Sequence, residues 1–467
     1  MRWSPQALAR ITGGALVRDA GREVAGAFLD SRTPIPGGLF VPIVAARDGH
    51  DFIPAAIASG AAATLIARGR PRPDDPRVSV IEVDDPLTAL ERLAADARAR
   101  CDGPVVAITG SNGKTTTRAM IAAALEVGFA PVLATQGNFN NHLGVPLTLV
   151  RELEGGAAPR AMVIELGMSA PGEVDALAAL VRPTCAVITS VALEHLEFMG
   201  SLDAIARAEA EVVARVRPGG RVLVPGDEPA LTPYVSREGV ALQGFGAGEL
   251  YGAPIVEVVA VEVGVRTRVT LAIEGHGRET FSLQTFGAHN ARNAAAAVSV
   301  ALAHGLPIDA VCAALERVAP VGDRGRVIAL GEHLLVADCY NANPGSVKAG
   351  LAGLAAFVDV DRRIAVLGDM LELGPDEEAL HAEVGREAAA LGIDALLTVG
   401  PRSRHAALAA GAVGHHLGDA LALPEATAAV TEALAGSRRA AVLIKGSRGM
   451  ALERLCEALV AARGDTP

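Results

Sequence analysis

A chain of 467 residues is too long for one hydrophobic core, and at roughly 100 to 200 residues per domain it predicts about three. Half of the residues are hydrophobic but only 3% are aromatic, so the apolar content is mostly small aliphatic side chains suited to packing helices on sheets. Subtracting 53 acidic from 42 basic side chains leaves a net charge of −11, which excludes a general basic field for nucleic acid, so any anion must be held locally.

The start, MRWSPQALARITGG, lacks the apolar run of a signal peptide, and no stretch reaches the roughly 18 uncharged apolar residues of a membrane helix. A cytoplasmic protein without membrane insertion is expected. Residues 1–83 contain two short apolar runs, GLFVPIV and ATLIA, an Ala-rich segment between them and the Pro-rich loop RPRPDDP, which together predict a small α/β domain. Cys101, Cys185, Cys312, Cys339 and Cys456 fall at unrelated spacings, which points to neither structural zinc nor a disulfide framework.

A second domain is expected over 84–320. It opens with a helix carrying Leu87, Leu90, Leu93 and Ala97 at helical spacing, followed by the strand PVVAIT and a Gly-rich turn. AMVIEL, TCAVITSV and GRVLVP then alternate with helical segments, the rhythm of a mainly parallel sheet with helices on its faces. The stretch IVEVVAVEVGVRTRVTLAIEG with ETFSLQTF predicts antiparallel strands added to that sheet, and NARNAAAAVSVALAHG a helix ending at Gly305. After the turn-rich APVGDRGR, HLLVADCY, RRIAVLGDM, ALLTVG and AAVLIKGS repeat the βα rhythm over 321–467, which predicts a Rossmann-like doubly wound domain.

The most informative segment is ITGSNGKTTTR, residues 108–118, between an apolar strand and a helix. Gly110 and Gly113 allow a tight turn whose amides face phosphate oxygens, and the following helix N-terminus adds partial positive charge. Lys114 would then neutralise the β and γ phosphates, and the Thr115 hydroxyl would ligate magnesium. The eight-residue P-loop pattern is incomplete, because Ile108 stands at its first glycine. A plain strand-to-helix turn would need Gly, Lys and Thr to fall in this order by coincidence, and the loop alone says only that phosphate is handled.

TGSNGKTT resembles the loop of Mur ligases and folylpolyglutamate synthetases. DSRTPIPGGLF, DGHDF, TQGNFNNHLGVPLTL, VIELGMSAPGEV, EHLEFMGS, GAHNARNA, DCYNANPGS, GDMLELG and KGSRGM follow in Mur ligase order across residues 30 to 450. NNHLGVPLTL, YNANPGS and GDMLELG resemble the family member that adds D-alanyl-D-alanine rather than its sisters. The resemblance implies a monomeric ligase of peptidoglycan precursor synthesis that uses ATP and Mg2+ to join D-alanyl-D-alanine to UDP-N-acetylmuramoyl-tripeptide through an acyl phosphate. The alternatives are a sister ligase adding another amino acid, or a catalytically silent nucleotide-binding relative.

The same resemblance distributes roles along the chain. Gly110, Ser111, Asn112, Gly113, Lys114, Thr115 and Thr116 would bind ATP; Lys114, Glu165 and His195 would be catalytic; Thr115, Glu165 and His195 would serve the metals. Where many relatives carry a lysine that is carbamylated, this chain has Glu209, which offers the negative charge without modification and is expected to support a second magnesium; a solvated helix face shared with Glu211 is the alternative. Adenosine contacts fall to Asn290, Asp338, Tyr340 and Arg324, with Arg326 a competitor for the last. Ser31 and Arg32, with Asp48 to Phe52, match the UDP-anchoring patch, and Arg32 is suited to bidentate pairing with an anion. Asn138, Asn141 and His142 would contact sugar or phosphate unless they form a simple Asn-rich turn, and Lys445 and Arg448 would reach the γ-phosphate or the dipeptide carboxylate when the last domain closes.

Overall fold

The computed structural model describes residues 1–462. Its first sheet has five short strands in the order Ala15–Arg18, Ser79–Val83, Ala63–Ala67, Leu39–Phe40 and Ala27–Phe28, parallel except for the first pair. The helix Pro86–Ala99 follows. Its start is fixed by Pro86 and by Asp85, whose carboxylate accepts the Thr88 N–H at 2.7 Å, and it buries Leu90, Leu93 and Ala97 while Leu87 stays half-exposed. On the same helix Arg98 is fully buried, and its guanidinium donates to the carbonyls of Val181 and Arg182 at the end of the helix Glu173–Val181. That cation satisfies the orphan carbonyls of a helix C-terminus and ties the opening helix to the sheet that follows.

The second sheet is wholly parallel, in the order Ala241–Phe245, Arg221–Pro225, Cys185–Ile188, Val105–Thr109, Ala161–Glu165 and Val132–Ala134. Its two edge strands, 132–134 and 241–245, carry no strong alternation and escape a pattern reading. The chain fills one side of Val105–Thr109 and then the other, so the switch in winding falls at the carboxyl end of that strand, where ligands of such folds bind. The antiparallel strands Val256–Val263, Thr267–Ile273 and Gly277–Leu283 form a three-stranded sheet joined to the parallel one by a single bridge, Gly246 to Glu257. What attaches them is apolar: Val256, Val269, Leu271 and Phe281 share one core with Leu223, Phe245 and the Ala-rich helix His289–Ala303.

The last sheet runs Arg326–Leu330, His333–Ala337, Ala440–Lys445, Arg362–Gly368, Ala395–Val399 and Gly414–His416, with only the first pair antiparallel. Its four central strands are the predicted ones, buried from end to end apart from the opening arginines of Arg362–Gly368. Among the described residues no helix is long and apolar enough to cross a membrane. The five cysteines are buried and free.

Candidate functional site

The segment after Val105–Thr109 turns through two glycines with positive φ, Gly110 at 113° and Gly113 at 85°, before the helix Lys114–Phe129 begins. Side chains are excluded at both: a Cβ on Gly110 would lie 2.4 Å from Thr189 Oγ1, and one on Gly113 would lie 2.7 Å from Asn293 Oδ1. Ser190 fixes the turn from the neighbouring strand end; its carbonyl accepts the Ser111 N–H at 2.9 Å and its hydroxyl accepts the Asn112 N–H at 3.0 Å.

Lys114 folds back over this loop, donating to the Gly110 and Ser111 carbonyls, and its ammonium lies 3.8 Å from Glu194. Burial opposes its charge, but Glu194, Glu209 and Glu165 outweigh that cost and hold the pKa above the ordinary lysine value. Glu194 is pushed up to about 8 by burial, with the Lys114 charge opposing. Glu209 is not on a solvated face: it is 1% exposed, and its Oε2 accepts the Gly110 N–H at 2.6 Å. Glu211 parts from it and accepts the N–H groups of Gly172 and Asp175.

Glu165 ends the strand beside the loop, its residue level with Ile108, and is buried. Its Oε1 accepts from Thr115 Oγ1 at 3.3 Å and from Asn140 Nδ2 at 3.0 Å; Oε2 lies 3.3 Å from Arg118 and has no hydrogen-bond partner among the described residues. In the Asn-rich loop the residue that reaches Glu165 is therefore Asn140, which the sequence reading passed over. Asn141 accepts the Leu143 and Gly144 N–H groups through its Oδ1, a turn role, and it lines the cavity together with Asn138 and His142. His195 has a positive φ of 49°, and its Nδ1 meets Glu372 Oε2 of the GDMLELG segment at 2.6 Å.

Lys114, Glu165, Glu194 and His195 face a cavity of about 1130 Å³ between the parallel sheet and the last domain, whereas Gly110 and Glu209 lie behind its lining. Ser111 to Thr116, Glu165 and His195 line one side, and Asn290, Arg324, Asp338, Tyr340 and Lys445 complete it. Asn290 is buried, donates to the Phe286 carbonyl at 2.7 Å and accepts from Asn293, the residue packed on Gly113, so its reach toward the loop is indirect. Arg324 stacks its guanidinium 3.5 Å above the centroid of the Tyr340 ring and lines the cavity, whereas Arg326 pairs with Asp323 outside the lining. Lys445 is buried and donates to Asp338 Oδ2 at 2.8 Å and to the Asn341 carbonyl at 3.0 Å, so each largely neutralises the other. Arg448 is exposed, 5.3 Å from the Tyr340 centroid and 3.9 Å from Glu453.

The first-domain residues do not join this cavity. Arg32 is exposed and forks onto Asp30 at 2.6 to 3.2 Å; those hydrogen bonds hold the Asp30 carboxyl down at about 2. Ser31 offers its carbonyl to Ser59. Asp48 accepts the His50 N–H and ring nitrogen and pairs with Arg70, and His50 in turn accepts the Ala67 N–H, so this patch is also a folding network. Asn140, Asn293 and Glu372 share one reason for being missed: each acts on a residue distant in sequence, and only the sheet topology brings them together.

The family model for the Mur ligase middle domain matches residues 108–301, and that for the Mur ligase glutamate ligase domain matches 323–448. The chain is 35% identical over 439 residues to the UDP-N-acetylmuramoyl-tripeptide–D-alanyl-D-alanine ligase of Bacillus subtilis, with 93% of each chain covered. It is likewise 35% identical to the Escherichia coli enzyme of that name, with 92% of each covered. Among solved structures it resembles MurF from Acinetobacter baumannii, with a TM-score of 0.86, 28% identity and 99% of each chain covered. It also shares the fold of the MurF ligase from Thermotoga maritima, solved in complex with ADP, with a TM-score of 0.80, 24% identity and 94% and 98% covered.

Proposed function

This chain belongs to the Mur ligase family, and from that premise we infer that it is the ligase that joins D-alanyl-D-alanine to UDP-N-acetylmuramoyl-tripeptide with consumption of ATP. The observation that carries the reading is the single cavity on which the phosphate loop, Glu165, His195 and the candidate nucleoside residues converge. In this assignment 1–83 anchors the UDP-sugar, 84–320 binds the ATP phosphates, and 321–467 completes the nucleoside and D-alanyl-D-alanine sites.

The reaction must bring a carboxylate against the γ-phosphate. Two unit charges about 4 Å apart repel by roughly 4 kcal/mol at an effective dielectric near 20, so cations must crowd the site. Lys114 is kept charged by its three carboxylate neighbours and stands ready for that task. The tripeptide carboxylate oxygen attacks the γ-phosphorus, the bond to ADP breaks, and an acyl phosphate results. The dipeptide amine then adds to its carbonyl, loses a proton, and expels phosphate. The N–H groups of Gly110, Ser111 and Asn112 are already taken by Glu209 and Ser190, so Lys114 and the amides at the start of the helix Lys114–Phe129 hold the phosphates in line, and the buried setting keeps water from the mixed anhydride.

Thr115 and Glu165 offer oxygen donors of the kind Mg2+ takes, and the buried Glu165 Oε2, which faces the Arg118 guanidinium at 3.3 Å but accepts no hydrogen bond among the described residues, keeps a lone pair for a cation. When bound, the metal would supply charge neutralisation at the β and γ phosphates. His195 and Glu209 are assigned to support a second ion near the acceptor carboxylate; Glu209 is buried beneath the loop, where burial raises its pKa and the Lys114 charge opposes that rise. Mass spectrometry of products from lysine- and diaminopimelate-containing UDP-sugar tripeptides, with ATP, magnesium and D-alanyl-D-alanine, tests the reading. Formation of a pentapeptide with stoichiometric ADP supports it, and acceptance of a free amino acid in place of the dipeptide would instead identify a sister ligase.

A further inference from the structure

Asn112 in the phosphate loop and Asn343 at the N-cap of the helix Pro344–Ala355 lie 231 residues apart in sequence, yet their side chains are reciprocally bonded. Asn343 Nδ2 donates to Asn112 Oδ1 at 2.9 Å, and Asn112 Nδ2 donates to Asn343 Oδ1 at 3.3 Å. Asn343 is 4% exposed, and Gly345 beside it lets the two segments close up, since a Cβ there would stand 3.2 Å from Ala192 Cβ. The main chain of Asn112 is held from its own sheet by Ser190, which accepts its N–H and donates to its carbonyl. Its side chain is held from the other domain.

Capping alone does not explain Asn343. An N-cap needs only a side-chain oxygen, and that oxygen already accepts the Ser346 N–H at 2.8 Å in a full capping box. The Nδ2 donation toward the loop is surplus to the cap. It fixes the residue immediately before Gly113 and Lys114, in a setting where an unpaired amide is costly. The same helix follows directly on the segment that carries Asp338 and Tyr340.

We propose that Asn343 is a positioning residue: when the last domain docks, its amide engages Asn112 and holds the phosphate loop in its gripping shape, so the loop is complete only when the nucleoside half of the site is in place. This rests on the ATP-dependent ligase reading above and adds to it the side-chain pair through which the two halves of the nucleotide site are coupled. A second crossing, His195 to Glu372, reinforces the same docking.

Serine caps helices as well as asparagine does but is too short to reach Asn112, so Asn343→Ser separates the two roles. At saturating substrates it is expected to lower kcat about tenfold, the size of one buried hydrogen-bonded pair, while the ADP dissociation constant of the free enzyme moves by less than about twofold and Tm by less than about 2 °C. Asn343→Ala, which also loses the cap, should lower Tm further. The double variant Asn112→Ala/Asn343→Ser should be no slower than the slower single variant. A wild-type kcat in Asn343→Ser, multiplicative losses in the double variant, or a kcat loss matched by an equal fall in Tm to that of Asn343→Ala would each overturn the coupling. Wild-type protein indifferent to ATP would instead sink the ligase reading on which it rests.

Discussion

The phosphate loop and the first-domain patch both present charge for an anionic ligand, but they hold it in opposite ways. Around the loop Thr115, Glu165 and Glu209 are buried at 6%, 3% and 1% exposure, and Lys114 is set among three carboxylates that keep it cationic. In the patch Arg32 has 81% of its side chain in solvent and spends its fork on Asp30 two residues away. The first arrangement has little to reorganise when a triphosphate arrives, and low dielectric magnifies each of its charges. The second must trade one carboxylate for another anion in water, where a pair is worth little. Chemistry belongs in the first kind of site and recognition in the second.

Variants can break this contrast in order of expected size. Lys114→Ala should lower turnover by about 10³-fold or more, because it removes the principal cation from a desolvated site, and steady-state ADP release would register it. Full turnover would remove the premise of the mechanism. Glu209→Gln keeps an acceptor for the Gly110 N–H but drops the charge; a fall in kcat of about 10²-fold with a steeper magnesium dependence is expected if the charge serves a second ion. An unchanged magnesium titration would leave Glu209 as a loop support only. Arg32→Ala should raise KM for the UDP-sugar peptide by about two- to fivefold with kcat little changed, the mark of uniform binding through an exposed pair. Asp30→Asn, which frees the Arg32 fork, should lower that KM by no more than about twofold; a larger gain would mean the patch is as preorganised as the loop.

What the sequence makes legible follows from the range of each signal. Gly110, Gly113, Lys114 and Thr115 are adjacent in the chain, and one strand–turn–helix unit decides their geometry, so their placement could be read directly. Glu165 was readable as a strand end. Glu209 was named only through the resemblance: its helix, Leu202–Glu209, gives it no more apolar surroundings in sequence than Glu211, so the solvated-face alternative stayed open until the tertiary fold sent one under the loop and the other to Gly172. Asn140 and Asn141 are neighbours of one chemistry, and the turn that caps Gly144 selects which faces Glu165. The three-stranded antiparallel unit was visible by alternation, but that it attaches through apolar packing and one bridge depends on edge geometry that alternation does not encode.

The guanidinium lying on Tyr340 carries a thermodynamic consequence for nucleotide entry. Under the assignment of that ring to adenine, the purine does not meet a bare, wetted aromatic face; it exchanges with a cation already resting there. Affinity then reports the difference between two stacking partners rather than the whole of either, and the displaced Arg324 is released, still charged, beside the phosphates that follow the base into the cleft.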